Sequence, residues 1–299
     1  LSDMTPPTPL VHTRRVGRFT VHEIQAGGQQ LDGGAMFGVV PKTLWERRLP
    51  ADARNRIPMG MRVLLVEHES GLVLIDSGSG NKETAKFQDI YGIENAGAPI
   101  DGVARTALED GFTQLGHRLG DVSLVINTHL HFDHAGGNTF LDAAGAVRPT
   151  FPNARYVVQA GEYHYATHTN ERTAASYFGR NWDSIREAGR LDLIDGGCEL
   201  VAGISVIRTP GHVPHHQSVL IDGGGEIACF LGDVCPTAYH LPLPWIMGYD
   251  VEPLVTLESK RWLLKRAQEE RWLVVFEHDA THAAGRVGHD GKSYTLESE

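Results

Sequence analysis

Four potential metal ligands lie within six residues of this chain, and they restrict its possible folds more than any other segment. His129, His131, Asp133 and His134 follow a short apolar stretch, residues 124–126, whose composition predicts a buried strand. Residues two apart in extended backbone point to the same side, so the first two histidines can bind one ion. The aspartate and the third histidine turn with the following loop and can face a neighbouring ion. The chain therefore needs a fold that brings further ligands to the end of this strand.

Three later segments each place a potential ligand directly after a predicted strand. His212 lies in a Pro-Gly turn, which can fix the direction of its side chain. Asp233 follows a strand-like stretch, where one carboxylate could bridge two ions, and His278 follows the last predicted strand. Imidazole and carboxylate groups suit zinc as ligands, and they also suit manganese, iron or cobalt. The sequence therefore predicts one shared centre for two divalent metal ions.

The order of these segments, HxHxDH, then TPGH, then GD, then a late histidine, resembles the metallo-β-lactamase fold hydrolases. The similar segments extend from about residue 60 to residue 282. The resemblance implies an α/β fold, a four-layer αβ/βα sandwich with the metal ions at one edge of two sheets. It also implies that His129, His131 and His212 bind a first metal ion. Asp133, His134 and His278 would bind a second ion, and Asp233 would bridge the two. Asp76 matches the family's aspartate that supports the site without binding metal, although its spacing alone fits a turn-capping residue equally well.

Two successive β-rich stretches, each followed by helices, predict two packed sheets with helices on the outside. The glycines after Asp222 predict a hairpin turn over residues 222–225, and apolar residues at near-helical spacing predict a helix over residues 254–269. The Pro- and Thr-rich start predicts a loose N-terminal arm over residues 1–20, which could serve a homodimer of the kind that similar enzymes form. No linker divides the remainder, so residues 21–299 are expected to form a single catalytic domain.

The composition argues against several other classes of protein. The formal net charge of −10 and the lack of a basic stripe oppose binding to nucleic acids. There is no apolar run of the roughly 18 residues that a membrane span requires. The three cysteines have no CxxC spacing, so they predict no disulfide framework. Together with the lack of a signal-like segment, they favour the cytoplasm.

A pair of divalent ions about 3.5–4 Å apart can hold a hydroxide ready to attack, because bound metal lowers the pKa of water to about 7. The resemblance gives catalytic roles to Asp233, which would touch both ions, and to Asp133, which could pass a proton to the leaving group. We therefore expect a dinuclear hydrolase of a small substrate, either a lactone or another hydrophobic carboxylic ester. A phosphotriesterase is the alternative, because the same hydroxide can attack phosphorus. A β-lactam hydrolase and an inactive metal-binding protein are less favoured, since His134, an aspartate bridge and all seven ligands are present.

Two apolar segments are predicted to wall the substrate pocket. One lies near the N terminus and the other follows the bridging aspartate, and together they contribute Met36, Phe37, Trp45, Tyr239, His240, Trp245 and Met247. Ordinary core packing is the alternative for each of these side chains. In the similar lactonases that act on quorum signals, a tyrosine three residues beyond the bridging aspartate helps to bind the carbonyl. Here Pro236 occupies that position, and the nearest tyrosine is Tyr239.

Several other side chains of potential ligand type are not predicted to bind metal. His215 and His216 follow the TPGH histidine too closely to reach the same ion, although His216 could support the site. His164 and His168 lie one helical turn apart, which we interpret as a polar helix face. Cys235 is predicted to be a packed thiol, because family members with a cysteine ligand place it at the bridging position.

Overall fold

The computed structural model describes residues 10–297 of the chain. The described residues form strands β1 (Val11–Val16), β2 (Phe19–Asp32), β3 (Arg56–His68), β4 (Gly71–Ile75), β5 (Ala96–Ile100), β6 (Val103–Thr106), β7 (Val122–Ile126), β8 (Thr139–Leu141), β9 (Val147–Pro149), β10 (Arg155–Gln159), β11 (Leu191–Ile194), β12 (Cys198–Val201), β13 (Ile204–Arg208), β14 (Gln217–Asp222), β15 (Ile227–Phe230), β16 (Leu273–Val275), β17 (Ala284–His289) and β18 (Tyr294–Leu296). They also form helices α1 (Gly33–Phe37), α2 (Lys42–Trp45), α3 (Ala85–Tyr91), α4 (Ala107–Leu115), α5 (Phe132–Ala135), α6 (Ala160–Thr167), α7 (Asp183–Glu187) and α8 (Pro253–Glu269).

Most of the strands belong to two seven-stranded sheets. The first sheet has the order β1-β2-β3-β4-β7-β10-β11, and the second has the order β12-β13-β14-β15-β16-β17-β18. The neighbours β4, β7, β10 and β11 run parallel, as do β15 and β16, while the other neighbours pair antiparallel. Parallel pairing directs the carboxyl ends of neighbouring strands to the same edge of a sheet.

An apolar layer fills the space between the two sheets. Along β3, Leu64 and Val66 point into this layer, while Val63 and Leu65 point to the outer face of the first sheet. This alternation follows from the two-residue period of a strand. All four side chains are fully buried, because both faces of the sheet are covered.

Helices cover the outer face of each sheet. Phe112 of α4 and Ile185 of α7 pack against the first sheet, and Leu263 of α8 packs against the second. The layers are therefore helix, sheet, sheet and helix, so the predicted four-layer sandwich is confirmed. The helix predicted over residues 254–269 is α8, and the hairpin predicted at residues 222–225 joins β14 to β15.

The structure replaces the described part of the predicted N-terminal arm with an ordered hairpin. Strand β1 pairs with β2 from Val11 opposite Ile24 to Val16 opposite Phe19. Gly17 begins the two-residue turn with a φ of +52°, which glycine adopts without a steric penalty. The prolines of the N-terminal stretch precede this hairpin, so the composition that predicts a loose arm does not apply to residues 11–20. Residues 1–9 of the predicted arm lie outside the described residues.

Candidate metal centre

The potential ligands follow strands that end at one edge of the sandwich. In the first sheet, β4 ends before Asp76, and β7 ends before the segment that contains His129. In the second sheet, β13 ends before His212, β15 before Asp233 and β16 before His278. Five separate stretches of backbone therefore bring their polar side chains to one place, as the sequence predicts.

The first group of side chains matches the predicted first metal site together with the bridging residue. The ligand atoms of His129, His131, His212 and Asp233 lie within 4.8 Å of one another. Nε2 of His212 is 3.1 Å from Nδ1 of His131 and 3.0 Å from Oδ2 of Asp233. Nε2 of His129 is 4.0 Å from the same oxygen. Zinc bonds of 2.0–2.2 Å in a tetrahedron separate ligand atoms by about 3.3–3.6 Å, so this group is of the right size for one ion.

The second group matches the predicted second metal site. The ligand atoms of Asp133, His134 and His278 also lie within 4.8 Å of one another. Nε2 of His134 is 3.2 Å from Nε2 of His278, and these atoms lie 3.9 Å and 3.8 Å from the two oxygens of Asp133. The group is therefore also compact enough to surround one ion.

The carboxylate of Asp233 joins the two groups. Its Oδ2 is 3.0 Å from Nε2 of His212 and 3.5 Å from Nε2 of His134, while its Oδ1 is 3.1 Å from Nε2 of His278. Burial alone would raise the pKa of Asp233, but the imidazoles of His278, His212 and His134 outweigh this effect and hold the pKa well below its ordinary value. The carboxylate is therefore charged and faces both groups of imidazoles.

Two features of His129 and His131 suit metal binding. Nε2 of His129 is buried without a hydrogen-bond partner, although buried polar atoms are almost always paired. Burial and neighbouring imidazoles lower the pKa values of His129 and His131 well below the ordinary value. These two imidazoles are therefore neutral at pH 7, which is the form that binds a metal ion. The residues present thus suit a pair of divalent cations.

Asp76 lies behind the second group rather than within it. Its Oδ2 is 3.0 Å from Nδ1 of His134, the ring nitrogen that faces away from the other ligands. Thr128 donates to both carboxylate oxygens, from its backbone N–H over 2.8 Å and from its hydroxyl over 2.7 Å. Asp76 also has a φ of +56°, a conformation that is uncommon outside glycine and that often marks functional sites. This position agrees with the supporting role that the resemblance implies.

Sequence reasoning missed four other groups that contact the ligands from behind. Oε2 of Glu277 lies 2.9 Å from Nδ1 of His134 without hydrogen-bond geometry, whereas Oδ1 of Asp250 is hydrogen-bonded to Nδ1 of His212 at 2.9 Å. The backbone carbonyl of Gly60 is 2.7 Å from Nδ1 of His278, and Gln29 donates to Asp133 over 2.7 Å. Such partners fix the ring orientation and tautomer of a ligand histidine. An acid next to His278 in an otherwise apolar segment could have indicated Glu277, but the sequence offers no comparable signal for Gln29.

His216 supports the centre without joining it, as the sequence analysis allowed. Its Nε2 accepts a hydrogen bond from the backbone N–H of Asp233 at 3.0 Å, and its Nδ1 is 2.8 Å from the hydroxyl of Thr209. Gly232 has a φ of +56°, and a Cβ at this position would lie 2.7 Å from Nε2 of His216. The glycine of the GD motif therefore allows the close approach that orients the bridging aspartate.

The remaining side chains of ligand type lie away from the two groups. His164 and His168 stack on each other on an exposed face of α6 and its end. Cys235 is fully buried in the apolar cluster under α8, and burial raises the pKa of its thiol to about 12. These positions agree with the polar helix face and the packed thiol that the sequence predicts.

A cavity of about 330 Å³ opens beside the ligands. Its lining includes His131, Asp133, His212, Asp233 and His278. The rest of the wall is largely apolar and aromatic, and it includes Leu31, Met36, Tyr91, Phe132, Met247, Tyr249 and Val251. A substrate in this cavity would have its polar end at the ligands and its apolar part against the wall.

Of the seven predicted pocket residues, Met36 and Met247 line this cavity. The other five are Phe37, Trp45, Tyr239, His240 and Trp245, and they pack in the apolar cluster behind the wall or beside it. The ring of Phe37 is fully buried and stacks on His240 at 4.8 Å, and Nε2 of His240 is 2.8 Å from the carbonyl of Met36. These five side chains therefore do not line the cavity, so this part of the prediction is wrong.

The sequence family can be stated once this geometry is known. Residues 62–278 match the Metallo-beta-lactamase superfamily, so the chain belongs to this superfamily of proteins. The predicted family and fold are confirmed.

Individual relatives agree with this assignment. The chain is 30% identical over 230 residues to an N-acyl homoserine lactonase from a Bacillus species, covering 74% of this chain and 82% of the relative. It is also similar to the structure of a probable metal-dependent hydrolase from Staphylococcus aureus, with a TM-score of 0.83, 29% identity and coverage of 96% and 99% of the two chains. A dizinc quorum-quenching lactonase in complex with its product has the same fold, with a TM-score of 0.78 at 17% identity and 97% coverage of both chains.

None of the helices in the described part of the chain combines the length and the apolar character needed to cross a membrane.

Proposed function

We propose that this protein is a metal-dependent lactonase that uses two divalent ions, with zinc as the first candidate, to hydrolyse lactones that carry a hydrophobic chain. One observation carries the proposal. The two oxygens of Asp233 face two separate groups of imidazoles at the base of a cavity whose wall is mostly apolar. A relative named N-acyl homoserine lactonase, at 30% identity, supports a lactone rather than another ester as the substrate.

The seven ligands are proposed to act as the sequence analysis assigns them. His129, His131 and His212 would hold the first ion, Asp133, His134 and His278 the second, and Asp233 both. When bound, such a pair of divalent ions supplies an activated water at neutral pH and polarises a carbonyl group. Asp76 and Asp250 keep the imidazoles of His134 and His212 in one orientation, so little reorganisation is needed when the substrate enters.

Asp133 is the acid that we propose for proton transfer. It lines the cavity, and Gln29 holds its Oδ2 through a hydrogen bond of 2.7 Å. Attack of water on the lactone carbonyl releases a proton, and opening of the ring leaves an alkoxide that needs one. A carboxylate fixed beside both positions can accept the first proton and deliver it to the alkoxide oxygen. The product is then the hydroxy acid, and the carboxylate returns to its initial state.

The wall of the cavity is proposed to select the hydrophobic chain. Leu31, Met36, Phe132 and Met247 present apolar surface next to the ligands. Burial of one methylene group contributes about 0.8 kcal/mol, which corresponds to a roughly fourfold gain in kcat/KM where the group is buried in the transition state. We therefore expect kcat/KM to rise with chain length until the cavity is full.

The proposal is tested with zinc-loaded protein and a panel of substrates. The panel contains N-acyl homoserine lactones of increasing chain length, an aliphatic γ-lactone, an aryl carboxylic ester, a dialkyl aryl phosphate and a β-lactam. We expect the highest kcat/KM for a lactone. A higher value for the phosphate would favour the phosphotriesterase alternative, and a higher value for the β-lactam would favour a β-lactamase.

Metal dependence separates an enzyme from a protein that only binds metal. Activity should disappear when a chelator removes the ions and should return when zinc is added, while manganese, iron and cobalt added separately would identify other competent ions. Activity that survives removal of all bound metal would contradict the proposal. The predicted homodimer is a separate question, which the molar mass in solution answers.

A further inference from the structure

A second cluster of ligand-type side chains lies on the first sheet and shares no residue with the metal centre. It consists of His22 on β2, Glu67 on β3 and His117 just after α4, and the ligand atoms of these three side chains lie within 4.8 Å of one another. His22 points to the same face of the sheet as Ile24, which packs with Phe112 of α4. The cluster therefore lies where the sheet meets the end of α4.

The distances in this cluster match a coordination polyhedron. Oε1 of Glu67 is 3.3 Å from Nε2 of His22 and 3.4 Å from Nε2 of His117. The first contact is a long hydrogen bond, and both separations lie beyond the usual N–H···O range of 2.7–3.2 Å. Ligand atoms that surround a tetrahedral zinc ion at 2.0–2.1 Å are separated by about 3.3–3.4 Å. The two distances from the carboxylate oxygen to the imidazoles thus have the length of tetrahedron edges, and the third ligand-atom distance, between the imidazoles, is within 4.8 Å.

The environment of His22 prepares its Nε2 to bind a cation. Nδ1 of His22 is 2.8 Å from the hydroxyl of Thr13, which lies directly opposite it in the β1–β2 ladder. With its Nδ1 proton donated to Thr13, the ring would offer the lone pair of Nε2 to a cation placed between it and Glu67, in place of the hydrogen bond between the two side chains. A partner of this kind behind a ligand histidine is the usual arrangement in zinc sites. Burial also lowers the pKa of His22 below the ordinary value, so the ring is neutral at pH 7.

We propose that His22, Glu67 and His117 bind a third divalent cation of the zinc type, with water as the remaining ligand. The donor set of two imidazoles and one carboxylate suits zinc. The side chains of Glu67 and His117 are 45% and 24% exposed, so an ion can enter from solvent. This ion connects β2, β3 and the segment after α4, which are far apart in the chain. Because it binds the folded state alone, it stabilises the fold and takes no part in hydrolysis.

The first test counts the ions. Protein equilibrated with excess zinc and then freed of loosely bound metal should retain three ions per chain. Glu67→Gln and His117→Gln should each retain two, and Asp233→Ala should keep the ion of the new site. Glu69→Gln is the matched control, because this exposed acid is two residues from Glu67 and lies outside the cluster. A wild-type count of two, or a third ion that persists in both cluster variants, would overturn the proposal.

The second test measures affinity and stability in the protein already loaded with two ions. Addition of zinc alone should raise the melting temperature of the wild type and of Glu69→Gln, but not that of Glu67→Gln. Thr13→Val should weaken binding of the third ion about 10–100-fold, the usual cost of losing such a partner, and loss of Glu67 should weaken it more. Lactone hydrolysis by Glu67→Gln should equal that of the wild type. Binding of the third ion is therefore tested independently of the proposed lactonase activity. An equal rise in melting temperature in all variants would show that zinc binds elsewhere.

Discussion

The side-chain amide of Gln29 donates a hydrogen bond to Oδ2 of Asp133 over 2.7 Å, although 104 residues separate them in the chain. Gln29 is buried on β2, and Asp133 lies at the start of α5 beside the cavity. The amide restricts the rotation of a carboxylate for which we propose both metal binding and proton transfer. Contacts of this kind make a ligand site rigid before the metal ion arrives.

Replacement of Gln29 by leucine removes this hydrogen bond and keeps the volume of the side chain. We expect the affinity for the more weakly held of the two active-site ions to fall by about 10–100-fold, as it does when partners of metal ligands are lost. Competition with a chromophoric chelator measures this affinity. Gln30→Leu is the control, because Gln30 points to the opposite side of the same strand. Equal affinities in the two variants would show that the amide does not position Asp133.

Asp233 should matter more than any single imidazole, because its two oxygens lie next to both groups of ligands. We expect Asp233→Ala to lose both active-site ions and to lower kcat/KM by at least about 1,000-fold, or about 4 kcal/mol of transition-state stabilisation. His131→Ala should lose one of these ions and less activity. Metal analysis and lactone kinetics of the same samples test whether Asp233→Ala loses more metal and more activity than His131→Ala. Asp89→Ala is the control, because the side chain of Asp89 is 75% exposed. Retention of one active-site ion by Asp233→Ala would contradict a bridging role.

The convergence of the candidate ligands could be predicted from sequence because ligation demands particular side chains at the ends of particular strands. The partners of the ligands could not, since contacts such as Gln29 with Asp133 or Asp250 with His212 arise only when distant segments meet. The pocket wall was predicted in part for a related reason. The composition of residues 36–37 shows an apolar segment, but only the fold shows that Met36 faces the cavity while Phe37 faces the core.

The proposed proton transfer by Asp133 predicts a dependence on the leaving group. Asp133→Asn keeps an oxygen for the metal but cannot deliver a proton. An alkoxide is far more basic than a phenolate. Phenols have pKa values near 10, whereas the hydroxyl group of an aliphatic alcohol is about as weak an acid as water, whose pKa is 15.7. The loss of kcat should therefore be about 10-fold or more greater for an aliphatic lactone than for an aryl ester, within the usual range of acid catalysis. A weakened metal site alone would slow both substrates equally, and such a result would remove Asp133 from this role.

Mutation of a residue that lines the cavity should affect substrate binding, whereas mutation of a residue buried behind the wall should affect folding stability. Tyr249 lines the cavity and is 38% exposed, so Tyr249→Ala should alter substrate binding with little effect on folding. We expect KM for a long-chain lactone to rise about 10-fold, the equivalent of two methylene contacts. Phe37 is fully buried behind the wall, so Phe37→Leu should lower the free energy of unfolding by about 1–2 kcal/mol and leave the chain-length dependence unchanged. Kinetics over a chain-length series and urea denaturation test the pair, and a change in chain-length preference in Phe37→Leu would contradict this division.

The segment behind the wall is held by a buried lysine. Nζ of Lys260 on α8 donates to the backbone carbonyls of His240, Pro242 and Trp245 over 2.8, 3.0 and 2.7 Å. Burial lowers the pKa of Lys260 to about 8, so the ammonium form still predominates at pH 7.

Lys260→Met has a similar length but leaves three carbonyls without their donor. Each buried group without a partner costs about 1–3 kcal/mol, and partial access of water reduces the sum, so we expect a loss of about 3 kcal/mol in the free energy of unfolding. Lys265→Met, on an exposed part of the same helix, should change it by less than about 0.5 kcal/mol. Urea denaturation of zinc-loaded protein, with midpoint and slope fitted separately, gives both values. If the two variants had the same midpoint, the three hydrogen bonds would not stabilise the segment that supports the cavity wall.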